Sequence, residues 1–184
     1  ISFELKNVDY NLNIEMEYND EFNFENGYYI GSVLYGIPNG FGHLVRPNES
    51  TEGIWKNGII DSECKHITPT TIYEGNIKNG NYDGYGILTY KNPESISRVY
   101  TKFENGIPVG GPDSIVTYVQ NNMFIGTISN LLQREGYGTT ICNLVVHIDC
   151  YFKNDIIDPE KSMYIEYDNR MYFGNYNIID QKLR

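Results

Sequence analysis

Residues 73–86 read Tyr-Glu-Gly-Asn-Ile-Lys-Asn-Gly-Asn-Tyr-Asp-Gly-Tyr-Gly, or YEGNIKNGNYDGYG. Aromatic and β-branched residues ask for a strand. The glycines argue against one, because glycine weakens a strand interior. The pair Asn79-Gly80 resolves the conflict. A type I′ turn needs positive φ at both central residues, and Asn-Gly is the strongest short signal for it. The stretch therefore reads as one hairpin, with residues 73–77 outgoing and the return strand starting at Gly84. Tyr73, Gly75 and Ile77 share a face, as do Gly84, Gly86 and Leu88. Glycines opposite an aromatic ring leave a slot for it to cover. A bulky residue at 75, 84 or 86 would hold that ring off the sheet.

The same spacing recurs along the chain. Tyr29, Gly31, Val33, Gly36, Gly40 and Gly42 repeat Tyr73, Gly75, Ile77, Gly80, Gly84 and Gly86. Phe124, Gly126 and Ile128 repeat the first half, and Gly136 and Gly138 follow one residue late, which places an insertion in the turn. Tyr172, Gly174 and Tyr176 restart the pattern as half a hairpin with no return strand visible. Weaker units lie between. Trp55-Lys56-Asn57-Gly58 and Phe103-Glu104-Asn105-Gly106 keep the turn core, and Phe152-Lys153-Asn154-Asp155 keeps it with Asp for Gly. Units start near 29, 51, 73, 99, 124, 148 and 172, strong alternating with weak. A repeat of this length, made of hairpins, predicts an all-β fold: an elongated single-layer antiparallel sheet of successive hairpins over residues 24–184.

Residues 1–23 form a diverged N-terminal cap. Leu12, Ile14, Met16, Tyr18, Phe22 and Phe24 alternate with polar residues, the period of a half-buried strand. Asp20 interrupts the apolar row and predicts a turn near Asn19-Asp20, with a second turn at Asn26-Gly27.

The totals narrow the function. The 184 residues suffice for one domain or one array. Tyr supplies 17 of the aromatics against one Trp, a set suited to half-exposed sheet faces because the hydroxyl can stay wet. The net charge of −10 gives nothing to a phosphate backbone, so nucleic acid is excluded as a partner, and an anionic membrane surface is disfavoured. Three cysteines without a CxxC pair point to a reducing, cytoplasmic compartment. The chain starts at Ile1, which suggests a piece of a longer or processed protein.

Catalytic and metal signals are weak. Cys142, His147 and Cys150 lie close in sequence, but residues three apart on a strand point to opposite faces, so His147 and Cys150 do not converge. Cys64 and His66 share a face if extended, yet no third orienting group accompanies them, and they read as a surface loop after a weak repeat. The Gly-x-Gly pairs precede apolar strand residues and do not open a helix, so they are no phosphate loop. No catalytic residue, metal or cofactor is expected. The aromatic residues are the better binding candidates: Phe41, Tyr85 and Tyr137, each between two glycines and on the face opposite them, with Tyr29, Trp55 and Tyr73. Glu25, Glu52, Glu74 and Glu104 offer a charged rim. Gly31, Gly40, Gly42, Gly75, Gly84, Gly86, Gly126, Gly136 and Gly138 are assigned to structure.

The spacing Tyr-x-Gly-x-aromatic-x-x-Gly-x-x-x-Gly-x-Gly resembles the MORN (membrane occupation and recognition nexus) repeat family. The units at Tyr29 and Tyr73 follow it, with Val33 and Ile77 in place of the aromatic residue. The resemblance implies a twisted sheet with a groove along one face and no catalytic residues of its own. It implies a scaffold that binds a protein partner (a peptide, a helix or a second copy) along a groove or sheet edge. Two alternatives follow from relatives of this kind. One is a regulatory or substrate-positioning region of a larger enzyme, such as a lysine methyltransferase or lipid kinase. The other is a phospholipid-surface binder, which the acidic charge disfavours. An association with membrane or cytoskeleton is compatible with either.

Overall fold

The computed structural model describes the backbone of residues 17–142, 145–158, 163–167, 170–174, 176–177 and 182–183, and side chains over 21–142 and 150–158. Eight strands come first: β1 (Glu17–Phe24), β2 (Gly27–Leu34), β3 (Ile37–Arg46), β4 (Glu49–Lys56), β5 (Ile59–Ile67), β6 (Thr71–Lys78), β7 (Asn81–Tyr90) and β8 (Ile96–Glu104). After them come β9 (Ile107–Pro108), β10 (Ile115–Tyr118), β11 (Met123–Ile128), β12 (Arg134–Cys142), β13 (Val145–Lys153) and β14 (Ile156–Ile157). The last are β15 (Met163–Tyr167), β16 (Arg170–Gly174), β17 (Tyr176–Asn177) and β18 (Lys182–Leu183). Among the described residues, fourteen of these form one open antiparallel sheet in chain order, with the stubs β9 and β14 lying beside β8 and β13.

Turn chemistry sets this order. Asn57-Gly58, Asn79-Gly80 and Asn105-Gly106 all have positive φ at both residues, as a type I′ turn requires. The first turn differs from expectation. Glu25 and Asn26 take the positive angles, while Gly27 already pairs with Phe24 in the ladder. A Cβ on Gly27 would lie 2.6 Å from the Val45 carbonyl oxygen, so this glycine serves close strand packing and not the turn. The turn expected at Asn19-Asp20 is absent as well. β1 runs through it with only a register irregularity between Glu17 and Asp20. The insertion in the unit at Phe124 is a five-residue loop, 129–133, closed by the Ser129 amide donating to the Gln133 carbonyl at 2.8 Å. At the C-terminal end a short return is present, with Lys182–Leu183 pairing Tyr176–Asn177. Residues 1–16, where Leu12, Ile14 and Met16 fall, lie outside the described residues.

Return strands start earlier than expected, at Asn81 in the central hairpin, because each carries a bulge. Gly75 pairs Gly86 and Ile77 pairs Tyr82, so residues 83–85 oppose Asn76 alone. The same three-against-one irregularity occurs beside Ser32, Ile54 and Thr127. Gly84 sits inside the bulge at φ +76, with only Asn76 Nδ2 near its missing Cβ, at 3.6 Å. Its glycine is therefore needed for backbone angle and not, as expected, for ring room. Gly40 and Gly136 occupy the equivalent place.

One cross-strand row organises the sheet. Gly31 pairs Gly42, Gly42 pairs Gly53, Gly53 pairs Cys64, Cys64 pairs Gly75, Gly75 pairs Gly86, and Gly86 pairs Thr101. Thr101 Oγ1 meets Ser114 Oγ at 2.8 Å, the Gly126 amide donates to the Ser114 carbonyl, and Gly126, Gly138 and Cys150 follow in register. Every member is small. The reason is visible on one face, where aromatic rings lie across the row. A Cβ on Gly75 or Gly86 would come within 2.6 Å of Tyr73, and one on Gly126 within 2.7 Å of Phe124. Gly42 stands in the same relation to Tyr29.

The rings that cover the row are fully buried and come in pairs. Tyr29 meets Trp55, Tyr73 meets Phe103, and Phe124 meets Phe152, all edge to face at 5.3–5.5 Å. In each pair the first ring comes from a strong unit and the second from the weak unit after it. The double repeat thus has a packing cause: one hairpin lays a ring over glycines and the next supplies its edge-on neighbour. Such contacts contribute about 0.5–1.5 kcal/mol beyond area burial. The polar tips are satisfied. Tyr29 and Tyr73 hydroxyls donate to the Ser32 and Asn76 carbonyls at 2.9 Å, and Trp55 Nε1 donates to the Gly42 carbonyl at 3.0 Å.

Candidate functional site

The structure divides the six aromatic candidates into two groups. Tyr29, Trp55 and Tyr73 are 0%, 4% and 0% exposed, inside the ring clusters. They hold the sheet together and are not surface groups, which corrects their assignment as binding residues. Phe41, Tyr85 and Tyr137 are 56%, 52% and 59% exposed on the opposite, outer face. Each is the last residue of a bulge and directly precedes a glycine of the row, so strand alternation puts its ring on the face opposite the row side chains.

Phe41 and Tyr85 border one trough of about 450 Å³. Its floor is backbone of the small-residue row at Gly53, Cys64, Gly75 and Gly86, where no side chain points outward. Its walls are the outward residues on either side of that row. One wall runs Glu52, Lys65, Glu74, Ile87 and Tyr100, each the Cα partner of the next across β4 to β8. The other contains Phe41, Glu63 and Tyr85. Tyr85 stacks on Tyr100 at 5.7 Å with 17° between planes, which closes one end of the trough with two parallel rings. Tyr137 is not part of this site. It lies against Tyr151 at 5.1 Å, farther along the sheet.

Sequence reading identified Phe41, Tyr85, Glu52 and Glu74 but missed Glu63, Lys65, Ile87 and Tyr100. The signal for them was register. Once Gly53, Cys64, Gly75 and Gly86 are seen as one row, their sequence neighbours are the walls. Glu25 belongs elsewhere, to a polar cluster on the ring face. There Arg46 bridges Glu25 at 2.8 Å and Glu49 at 2.7 Å, and His66 lies between Glu49 and the Tyr82 hydroxyl, 2.8 Å away. The Arg46 guanidinium and then His66 lower the Glu49 pKa against the opposing effect of burial. Glu104 pairs with Lys102 at 2.8 Å.

Cys64 and His66 are strand residues of β5 and not a surface loop. Cys64 is buried, and burial pushes its thiol up to about 11, the opposite of an activated nucleophile. Cys64 and Cys150 stand in the small-residue row, where a thiol takes the place of glycine. The His147 side chain lies outside the described residues. Among the described residues, no helix is long and apolar enough to cross a membrane.

Residues 29–51 and 73–92 match the model of the MORN repeat family. The chain carries MORN repeats. No curated protein matches it. The two matched MORN repeats contain the hairpins in which Tyr29 and Tyr73 lie over paired glycines, and they contribute Phe41 and Tyr85 to the trough. The weak unit between them contributes Glu52, Glu63 and Lys65. The trough is thus formed by the two matched MORN repeats and the intervening hairpin, with Tyr100 of β8 closing one end.

Proposed function

We propose that this chain is a non-catalytic scaffold that holds a protein partner on the outer face of its MORN sheet. The observation that carries this reading is the contrast in exposure. Phe41 and Tyr85 are more than half exposed beside one trough, although Tyr29 and Tyr73, which lie over the glycines on the other face, are buried completely. Exposed aromatic residues around a depression are the usual anchors of protein interfaces. The trough is shallow and open, and its walls mix apolar rings with carboxylates. That suits a peptide laid across it better than an enclosed small molecule.

Selection from a random peptide display library tests the proposal. Wild-type protein is expected to enrich binders, and the double variant Phe41→Ala/Tyr85→Ala, folded as judged by its melt, should lose them by at least about tenfold, the loss of one hot spot. Binders indifferent to the double variant, or no enrichment at all, would overturn it.

A further inference from the structure

We infer that the segment received by the outer trough is extended, basic in its middle and apolar at both ends. This inference rests on the proposed role of the outer face and adds the chemistry of the partner.

The distribution of wall residues is its basis. Phe41 marks one end on β3, and the stacked pair Tyr85 and Tyr100 marks the other on β7 and β8. Between them stand Glu52, Glu63 and Glu74, all exposed, with Lys65 as the basic residue among the trough-lining side chains. Lys65 is the Cα partner of both Glu52 and Glu74, so one ammonium faces two carboxylates across the strands, and Glu63 adds a third. The middle of the trough is therefore short of positive charge. The floor adds no side chain, so a long cationic side chain can reach down between the walls and place its stem along backbone. The rings at the ends offer faces to apolar side chains or to a neighbouring guanidinium.

Dimensions fix the length. From β3 to β8 there are six adjacent strands, a span of about 24 Å at ~4.8 Å per step. An extended chain covers that distance in about seven residues at ~3.3 Å each. The expected pattern is an apolar residue, two Lys or Arg near the centre and an apolar residue, in alternate positions over seven.

Three seven-residue display libraries test this directly. The first fixes apolar ends and two central Lys/Arg, the second fixes apolar ends and two central Asp/Glu, and the third fixes two central Lys/Arg between Ser or Gly ends. Enrichment on wild-type protein is expected from the first alone. Binders from it should lose affinity roughly 2–5-fold with each of Glu52→Gln, Glu63→Gln and Glu74→Gln, and by about tenfold or more in the triple variant, since exposed charge pairs are individually modest. Those variants replace exposed side chains and should melt like wild type. Equal enrichment of the acidic library, or binders that ignore the triple variant, would overturn the basic middle. Equal enrichment of the third library would overturn the apolar ends. If random-library binders depend on Phe41 and Tyr85 yet lack basic residues, this inference fails and the scaffold reading stands. If no peptide recognises this face, both fail.

Discussion

Tyr73 and Tyr85 belong to one hairpin, twelve positions from each other within one MORN match, and have opposite fates. Tyr73 points to the ring face, lies over Gly75 and Gly86, and is 0% exposed. Tyr85 points to the outer face and is 52% exposed. The small-residue row between them makes the difference. It removes side chains from one face so that rings can lie across it there, and Tyr85, next to Gly86 on the same strand, points to the opposite face by alternation. Residue type alone does not say which tyrosine is structural. Its position relative to that row does.

The largest effect is expected from Tyr73→Ala, which deletes a buried ring and its contacts with Phe103 and Tyr82. A loss of about 3–5 kcal/mol in denaturant unfolding is expected, in the range of buried aromatic truncations. Gly86→Val comes next, at about 3 kcal/mol, because its side chain would enter the space of the Tyr73 ring. Gly84→Ala should cost only about 1 kcal/mol in the same assay. Space is open there and only the positive φ opposes a Cβ. Equal effects at 84 and 86 would contradict the separate roles assigned to the bulge and the row.

Smaller effects sharpen the picture of the buried face. Cys64, with its thiol pushed up to about 11 by burial, should resist alkylation at neutral pH in the native protein and react at the rate of unfolding. Mass spectrometry after iodoacetamide treatment reads this, with half-buried Cys142 modified ahead of it. The last effect is a pH dependence. Arg46 and His66 lower the Glu49 pKa, so folding binds this carboxylate in its charged form. That contribution is present above the ordinary value of 4.5 and is lost as pH falls through the lowered one. Melts between pH 6 and 3 should therefore fall less steeply for Glu49→Gln than for wild type.

Much of the fold is legible in the sequence because its turns announce themselves. Asn57-Gly58, Asn79-Gly80 and Asn105-Gly106 need only local chemistry to form, and the aromatic-glycine spacing around them sets the period. Features that depend on pairing were not legible. Nothing local distinguishes Gly84, required for its angle, from Gly86, required for its space. Asn26-Gly27 looks like the other turns, but packing against Val45 moves the turn back by one residue. Cys64, Thr101, Ser114 and Cys150 read as unrelated residues until register aligns them with the glycines. The candidate site shares this limit. Phe41 and Tyr85 were visible as residues between glycines, whereas Glu63 and Lys65 enter only when neighbouring strands are placed side by side. Likewise, Tyr29, Trp55 and Tyr73 could not be told from surface aromatics before the face they occupy was known.

One face of the sheet holds the fold, and the other leaves Phe41 and Tyr85 in solvent. Parallel urea titrations of Tyr73→Ala and Tyr85→Ala test it most directly, because the two changes are chemically identical and lie in one hairpin. A loss of about 3–5 kcal/mol is expected for Tyr73→Ala and a change within about 0.5 kcal/mol for Tyr85→Ala. Comparable losses for both, or a larger one for Tyr85→Ala, would contradict it.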